Sequence, residues 1–382
     1  MEKIKLDYKI FFHSIMLYPL ALAILTAIGK EAFFITAPYF FLNLLLLLFI
    51  VFARERIVFK IWNLLQLFLL ILLISIGVYN FTSFRYSLPL FFIIYAFVLQ
   101  FFLTKYSNSI HYSDFNYFKH YFIFYIILSI LFILFPLSPF QKLSRFDGFL
   151  GSPTVYSAYL VLLYILSLSN FKTNLPKILG YLIVLVFVYL SKTRLILLLM
   201  IIIPLLSVAI DYWKLSLKKI FLTIFLVLIF LYPAYKTVVE YFPNLVTMRY
   251  EQGKDRSYDL RYYLYVITQE DFSKQDLKTK IFGQGNEHSR LFVKKKLNGD
   301  VYPHNDFIRI ISDWGILGGV LFFLLLYRYA IRSKIALIIT IIYMIQFYSN
   351  LIFNLFLISI LLIIANLSSK EIENTKENNE FF

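Results

Sequence analysis

Long apolar runs recur along this chain and constrain its fold more than any other feature. Runs of about sixteen to twenty-two residues return up to residue 367, and a helix of that length crosses the hydrocarbon core of a bilayer, which is about 30 Å thick. The alternating segments of about ten residues that build transmembrane β-barrels do not occur. The sequence therefore predicts an all-α polytopic membrane protein.

The apolar runs predict about twelve transmembrane helices, separated by short polar turns and by one long polar loop. Residues 1–235 are expected to hold helices one to nine, 236–305 a polar loop with short helices, 306–367 helices ten to twelve, and 368–382 a disordered tail. The predicted spans are 10–28, 32–52, 57–79, 87–104, 119–137, 154–169, 176–191, 195–211, 218–235, 308–327, 334–350 and 351–367.

Lysine and arginine are distributed unevenly between the two sets of loops. With a cytoplasmic N-terminus, the cytoplasmic side carries about eighteen of them, tails included, and the short outer loops carry about six. Because basic residues in short loops stay in the cytoplasm, both termini are predicted to be cytoplasmic and the long polar loop to face outward.

Composition excludes several classes of function. The net charge of +15 comes without a basic patch outside the loops that flank the spans, so nucleic acid is not an expected partner. The chain has no cysteine, and its outer loops contain no grouping of His, Asp and Glu with metal-ligand spacing. No nucleotide-binding motif occurs, which argues against an ATP-driven pump.

The polar loop ends at Pro303-His304-Asn305-Asp306, directly before an apolar helix. Asn305 or Asp306 can cap that helix, and a histidine fixed at such a junction can exchange a proton near neutral pH. Arg309 and Asp313 follow at a spacing that allows them to pair along one helix face. This pattern makes His304 the candidate reactive group.

The residues after His304 match a known pattern. His304-Asn305, nine intervening residues, Gly315 and Gly318 resemble the motif of the bacterial O-antigen ligase and O-antigen polymerase superfamily. We expect the two glycines to let a neighbouring helix approach closely.

Three further segments resemble the same superfamily. They are Arg145-x-x-Gly148 leading to Pro153, Ser191-Lys192-Thr193-Arg194, and Arg261 followed by Gly283-Gln284-Gly285. The resemblance covers approximately residues 140–320.

The resemblance implies a GT-C-like glycosyltransferase that moves a glycan from undecaprenyl diphosphate to an acceptor hydroxyl at the outer face of the bacterial cytoplasmic (inner) membrane. His304 would be the base, while Arg194, Arg261 and Arg145 would bind the diphosphate. Asn305 and the glycines would support the site. No cofactor and no metal are expected, because the diphosphate leaving group already activates the donor, and attack opposite to it predicts inversion. Expected partners are the lipid-linked donor, lipid A–core or a glycan as acceptor, membrane lipid, a flippase and a chain-length regulator.

Several functions remain open from the sequence. The spacing after His304 favours a ligase that joins O-antigen to lipid A–core, and the alternative is an O-antigen, capsule or exopolysaccharide polymerase. A related protein O-glycosyltransferase fits as well. A transporter or flippase is the alternative from another class, but ionisable residues in mid-span, typical of transporters, are scarce.

Overall fold

The computed structural model describes residues 13–14, 16–24, 27, 42, 61–79, 117–135, 146–171, 173–213, 216–227, 257–285, 287–297, 305–331 and 334–349. Throughout these residues the regular elements are helices, and no strand occurs among them. The predicted all-α class is confirmed for this part of the chain. The predicted spans 32–52, 87–104 and 351–367 and the tail lie outside it or almost entirely so.

Ten complete helices are described. They are α1 (Ile61–Tyr79), α2 (Tyr117–Leu134), α3 (Pro153–Ser167), α4 (Asn174–Leu190), α5 (Arg194–Trp213), α6 (Ser257–Lys274), α7 (Leu277–Phe282), α8 (His288–Leu297), α9 (Asp306–Ala330) and α10 (Lys334–Ser349). Helical residues at 16–24 and 218–227 fall within two further predicted spans, 10–28 and 218–235.

Seven of these helices, α1 to α5, α9 and α10, coincide with predicted spans to within a few residues. Two described helical stretches, Tyr117–Leu134 and Phe307–Arg328, are long and apolar enough to cross a membrane by length and composition. Shorter apolar stretches occur in α1, α3, α4, α5 and α10. Leucine, isoleucine and valine side chains remain exposed along α4 and α5, as expected for helix faces that contact lipid.

Aromatic side chains join α2 and α3 to the segment between them. The ring of Phe149 stacks on Tyr125 at a centroid distance of 5.1 Å and meets the ring of Tyr156 edge-on at 5.3 Å. Gly148 has φ of +60°, and a Cβ there would lie 2.2 Å from the Tyr156 ring, so this turn requires glycine. The segment before α3 is therefore packed into the helix bundle.

The polar part of the chain forms three helices, α6, α7 and α8, which we call the loop layer. Leu264 and Ile267 of α6 pack with Val293 of α8 in a small core separate from that of the bundle. Helices α6, α7 and α8 all contact α9. The polar loop therefore rests on the helix that follows it.

Helix α9 is broken at Gly315. Its backbone there has φ of +71° and ψ of 178°, which is not helical, so α9 consists of a first half at residues 306–314 and a second half at 316–330. From the sequence we expect one uninterrupted span at 308–327, with Gly315 as a position where a neighbouring helix packs. Gly318 lies beside α1, since a Cβ on it would lie 3.8 Å from the side chain of Ile76, although its nearest neighbour would be Trp314 Cβ of its own helix at 2.5 Å. Gly315 instead faces the polar loop.

Candidate functional site

The N-terminal end of α9 is fixed by Asn305. Its side-chain Oδ1 accepts hydrogen bonds from the backbone N–H groups of Phe307 (3.0 Å) and Ile308 (3.3 Å). These are two of the donors that a helix leaves without an internal partner at its start. The predicted cap is confirmed and belongs to Asn305, which is buried. His304, the residue before it, lies outside the described residues.

The break in α9 releases backbone acceptors to the polar loop. In an unbroken helix the carbonyls of Ser312 and Asp313 would bond to amides one turn later. Here the backbone N–H of Gln284 donates to Ser312 O (3.4 Å), and that of Gly285 donates to Asp313 O (3.0 Å). The loop therefore supplies hydrogen bonds that the broken helix lacks.

Two glycines make this approach possible. A Cβ on Gly283 would lie 2.2 Å from Asp313 O, and one on Gly315 would lie 2.2 Å from Ile281 O. Both glycines have positive φ, at +83° and +71°. Because the neighbouring atoms are backbone, they cannot rotate away, so glycine is required on both sides of the contact. The predicted Gly283-Gln284-Gly285 turn is thus the segment that docks on α9.

The carboxylate of Asp313 binds both the polar loop and a buried arginine. Its carboxylate accepts the backbone N–H of Glu287 at Oδ2 (3.0 Å) and that of Ser289 at Oδ1 (2.8 Å). The Nε of Arg309, one turn earlier in α9, lies 3.7 Å from Oδ2. The predicted pairing of Arg309 with Asp313 is confirmed, while the side chain of Asp306 lies outside the described part. We call residues 283–285 and 287–289 the docking segment.

Glu287 completes a buried group of charges. Its side chain is only 2% exposed and forms an ion pair with Arg309, which is 5% exposed, while Arg290 Nη1 lies 3.6 Å from the second carboxylate oxygen. Glu287 also has φ of +65°, an uncommon conformation for a residue with a side chain. Buried charges are retained only where partners compensate the loss of water, and removal of one partner is strongly destabilising.

The turn that begins α5 is held against α3. Thr193 Oγ1 donates to Ser157 Oγ over 2.9 Å, and Lys192 adopts a φ of +52°. The backbone N–H of Phe146 donates to Leu190 O (3.1 Å), so the segment that follows Arg145 lies beside this turn. Arg194 is exposed at the start of α5. Arg145 lies outside the described residues.

Arg261 lies in the second turn of α6, although its side chain is not among those described. Three residues later Leu264 is fully buried against α8, which fixes this part of α6 within the loop layer. The structure thus places Arg261 on the loop layer and Arg194 at the start of a bundle helix.

The loop layer contains a pair of His288 with Asp271 that the sequence did not predict. His288 Nε2 lies 3.0 Å from Asp271 Oδ2, which also accepts a hydrogen bond from Gln275 Nε2 (3.0 Å). Both partners of the pair are part-buried. The two residues are far apart in the chain, and no local spacing links them. In the part of the chain that the structure describes, no group of His, Asp and Glu has a geometry that would hold a metal ion.

Exposed apolar helices, together with a polar layer that docks on α9 through buried charges, are typical of a helical membrane protein. The comparison with known families is more specific. Residues 179–323 match the model of the family described as O-Antigen ligase. No curated protein matches the chain.

The matched stretch contains most of the residues that carry the resemblance. Arg194, Arg261, His304 and the four glycines of the docking contact and motif fall within it, and the segment from Arg145 to Pro153 precedes it. The resemblance to the O-antigen ligase and polymerase superfamily is confirmed. Members of this family are membrane glycan ligases and polymerases, enzymes of glycosyl transfer.

Proposed function

We propose that this protein transfers a glycan from undecaprenyl diphosphate to an acceptor hydroxyl at the outer face of the bacterial cytoplasmic membrane, and that it acts as an O-antigen ligase on lipid A–core. The alternative within the same family is a polymerase that extends O-antigen, capsule or exopolysaccharide. The family match over residues 179–323 supports both.

The observation that best supports His304 as the base is the cap beside it. Asn305 is buried and bonded to two amides of α9, so the chain at position 304 joins a fixed helix end. A base needs a defined position relative to the hydroxyl whose proton it takes. The buried charges beneath this end of α9 add to its rigidity, because each of them has a partner.

In the proposed reaction, an imidazole nitrogen of His304 takes the proton of the acceptor hydroxyl. The hydroxyl oxygen then forms a bond to the anomeric carbon while the bond from that carbon to the diphosphate oxygen breaks. Attack opposite to the leaving group inverts the anomeric carbon. The diphosphate departs with its negative charge, and stabilisation of that charge is the main task left to the protein.

Arginine side chains suit that task. A guanidinium group presents parallel N–H donors to phosphate oxygens, and it stays charged at any physiological pH. The position of Arg194 supports this assignment. Its side chain is exposed, and the turn that carries it is held in place by the hydrogen bond from Thr193 to Ser157. Arg261 and Arg145 are assigned to the diphosphate by the resemblance. With arginines in this role the proposed reaction requires no metal ion.

The proposed arrangement in the membrane follows from the charge distribution. Both termini would be cytoplasmic, residues 236–305 would form an extracytoplasmic catalytic loop, and residues 1–235 and 306–367 would hold the spans. A flippase that delivers the lipid-linked donor and a chain-length regulator would act beside it.

A glycan gel from cells tests the proposal. We expect His304→Ala and Arg194→Ala, each at normal protein level, to abolish or strongly reduce the surface glycan ladder. Matched controls are His120→Ala, an exposed histidine at the start of α2, and Lys192→Ala, a cation in the same turn as Arg194. Both controls should keep the ladder. An unchanged ladder in His304→Ala and Arg194→Ala would show the assignment to be wrong.

The same gel separates the two enzymes. Loss of a ligase leaves long polymer on the lipid carrier and none on lipid A–core. Loss of a polymerase leaves single repeat units on the core. The first pattern supports the proposed ligase, and the second supports the alternative.

A further inference from the structure

The break at Gly315 separates the two halves of α9, so the direction of the first half is set by what packs against it. The backbone at Gly315 is not helical, and amides of the docking segment donate to the carbonyls of Ser312 and Asp313 just before the break. A helix interrupted in this way behaves as two rigid pieces joined at one residue. Ile310 and Trp314 of the first half pack in the bundle core on one side, and the loop contact holds the other side, so the orientation of residues 306–314 depends on both.

Asp313 is the only residue of the described docking contact whose backbone and side chain both hold the loop. Its carbonyl accepts from Gly285, and its two carboxylate oxygens accept from Glu287 and Ser289. Three bonds thus converge on one buried residue. The two carboxylate bonds are charge-assisted and stronger than bonds between neutral groups.

The side chains around Asp313 make the docked state sensitive to its charge. Arg309 is buried and lies between Asp313 and Glu287, with ion-pair contacts to both carboxylates. Loss of the negative charge at Asp313 would leave Arg309 with less compensation in a site that excludes water. Glu287 is also bound through its backbone, in a conformation with positive φ that this contact helps to impose.

We propose that Asp313 is a positioning residue for the transfer reaction: by binding the amides of Gly285, Glu287 and Ser289 it docks the polar loop on α9 and fixes the direction of the first half of that helix. This inference rests on the proposed function. It assigns Asp313 no contact with substrate. Its effect on the reaction passes through the end of α9 that Asn305 caps.

The chain contains no cysteine, so a single introduced thiol can be labelled selectively to measure docking. Ser312 is buried and its backbone carbonyl accepts from Gln284 of the docked loop, so Ser312→Cys introduces the only thiol of the protein beside the docking contact. The rate at which a polar maleimide labels this thiol in purified full-length protein reports how often the loop leaves α9.

The test compares Asp313→Asn with Glu270→Gln, both in the Ser312→Cys background. Glu270 is an exposed acid of the same loop layer, and its ion pair with Lys296 is a surface contact of 3.9 Å, so Glu270→Gln is a matched loss of one charge. Asparagine keeps the shape of Asp313 but presents an amide N–H₂ to one of the two backbone donors.

In Asp313→Asn we expect labelling at least about tenfold faster than in the control. We also expect kcat for transfer from undecaprenyl-diphosphate-linked glycan to lipid A–core to fall on the order of 100-fold, as misplacement of a reacting group does. The KM for the donor should stay within about threefold. Labelling is measured only on the monodisperse fraction of each purified variant. A lower yield of folded protein therefore does not by itself raise the labelling rate.

Gly283→Ala provides a second route if Asp313→Asn is poorly produced, because it blocks the contact while Asp313 stays intact. It should give the same pair of changes. Unchanged labelling, or faster labelling with unchanged kcat, would overturn the positioning role. A fall in kcat without faster labelling would overturn it as well and indicate a direct role for Asp313.

The outcome also separates this inference from the proposed function. If the parent protein transfers glycan and Asp313→Asn behaves as the control does, only the positioning role fails. If the parent protein transfers no glycan to lipid A–core or to a lipid-linked repeat unit, the proposed function fails, and the role of Asp313 in transfer fails with it.

Discussion

Replacement of Gly315 by alanine should separate the polar loop from α9. The new Cβ would lie 2.2 Å from Ile281 O and 2.5 Å from Gly283 N, closer than real Cβ contacts come, and both neighbours are backbone atoms. A side chain at φ of +71° and ψ of 178° costs about 1–3 kcal/mol by itself, since essentially only glycine adopts this conformation.

The size of the effect follows from these two terms together. The strain and the loss of at least one loop-to-helix hydrogen bond, at about 1 kcal/mol net, add to about 3 kcal/mol against the docked state. At about 1.4 kcal/mol for each factor of ten, the docking equilibrium should shift by roughly 100-fold. Labelling of a thiol at Ser312 should accelerate by a similar factor, up to the rate at a fully open site.

Gly319→Ala is the matched control in the same helix. A Cβ there would meet Ile311 Cγ1 at 3.5 Å and Ile310 Cγ2 at 3.8 Å, which are ordinary contacts. Alanine in a helix interior is favoured over glycine by about 1 kcal/mol, so this variant should be no less stable than the parent. If Gly315→Ala labels no faster than Gly319→Ala, the inferred backbone contact between Gly315 and the loop is refuted.

Two further variants address the ends of the site. Asn305→Ala should destabilise the start of α9 by about 1 kcal/mol, because the amides of Phe307 and Ile308 lose their acceptor; hydrogen exchange should be faster there and unchanged in α10. His288→Ala should leave the glycan ladder nearly unchanged, since its pair with Asp271 is part-exposed and such pairs contribute about 0–1 kcal/mol. Loss of the ladder in His288→Ala would instead make His288 a rival of His304 as the base.

Local patterns in the sequence were sufficient for several features. Apolar runs predicted the positions of seven described helices because burial in lipid demands continuous hydrophobicity. Asn305 was predictable as a cap, since its side chain acts on amides two and three residues later. Arg309 and Asp313 were predictable as a pair, because residues four apart share a helix face.

The docking of the loop could not be predicted, because its contacts join residues far apart in the chain. Glu287 and Ser289 bind Asp313 from 26 and 24 residues away, and no spacing rule connects them. Gly315 was interpreted from the sequence as a position of helix packing. Its positive φ and its close contact with Gly283 belong to the tertiary structure, so the sequence alone does not distinguish it from Gly319.

The proposed transfer can be measured directly with purified protein, undecaprenyl-diphosphate-linked glycan and lipid A–core. The parent protein and His120→Ala should both join glycan to the acceptor, and His304→Ala should be slower by about 10²–10⁴-fold, the usual contribution of a general base. Transfer by His304→Ala at the rate of His120→Ala would contradict the role of His304. Absence of transfer by the parent protein to this acceptor and to a lipid-linked repeat unit would contradict the proposed function itself.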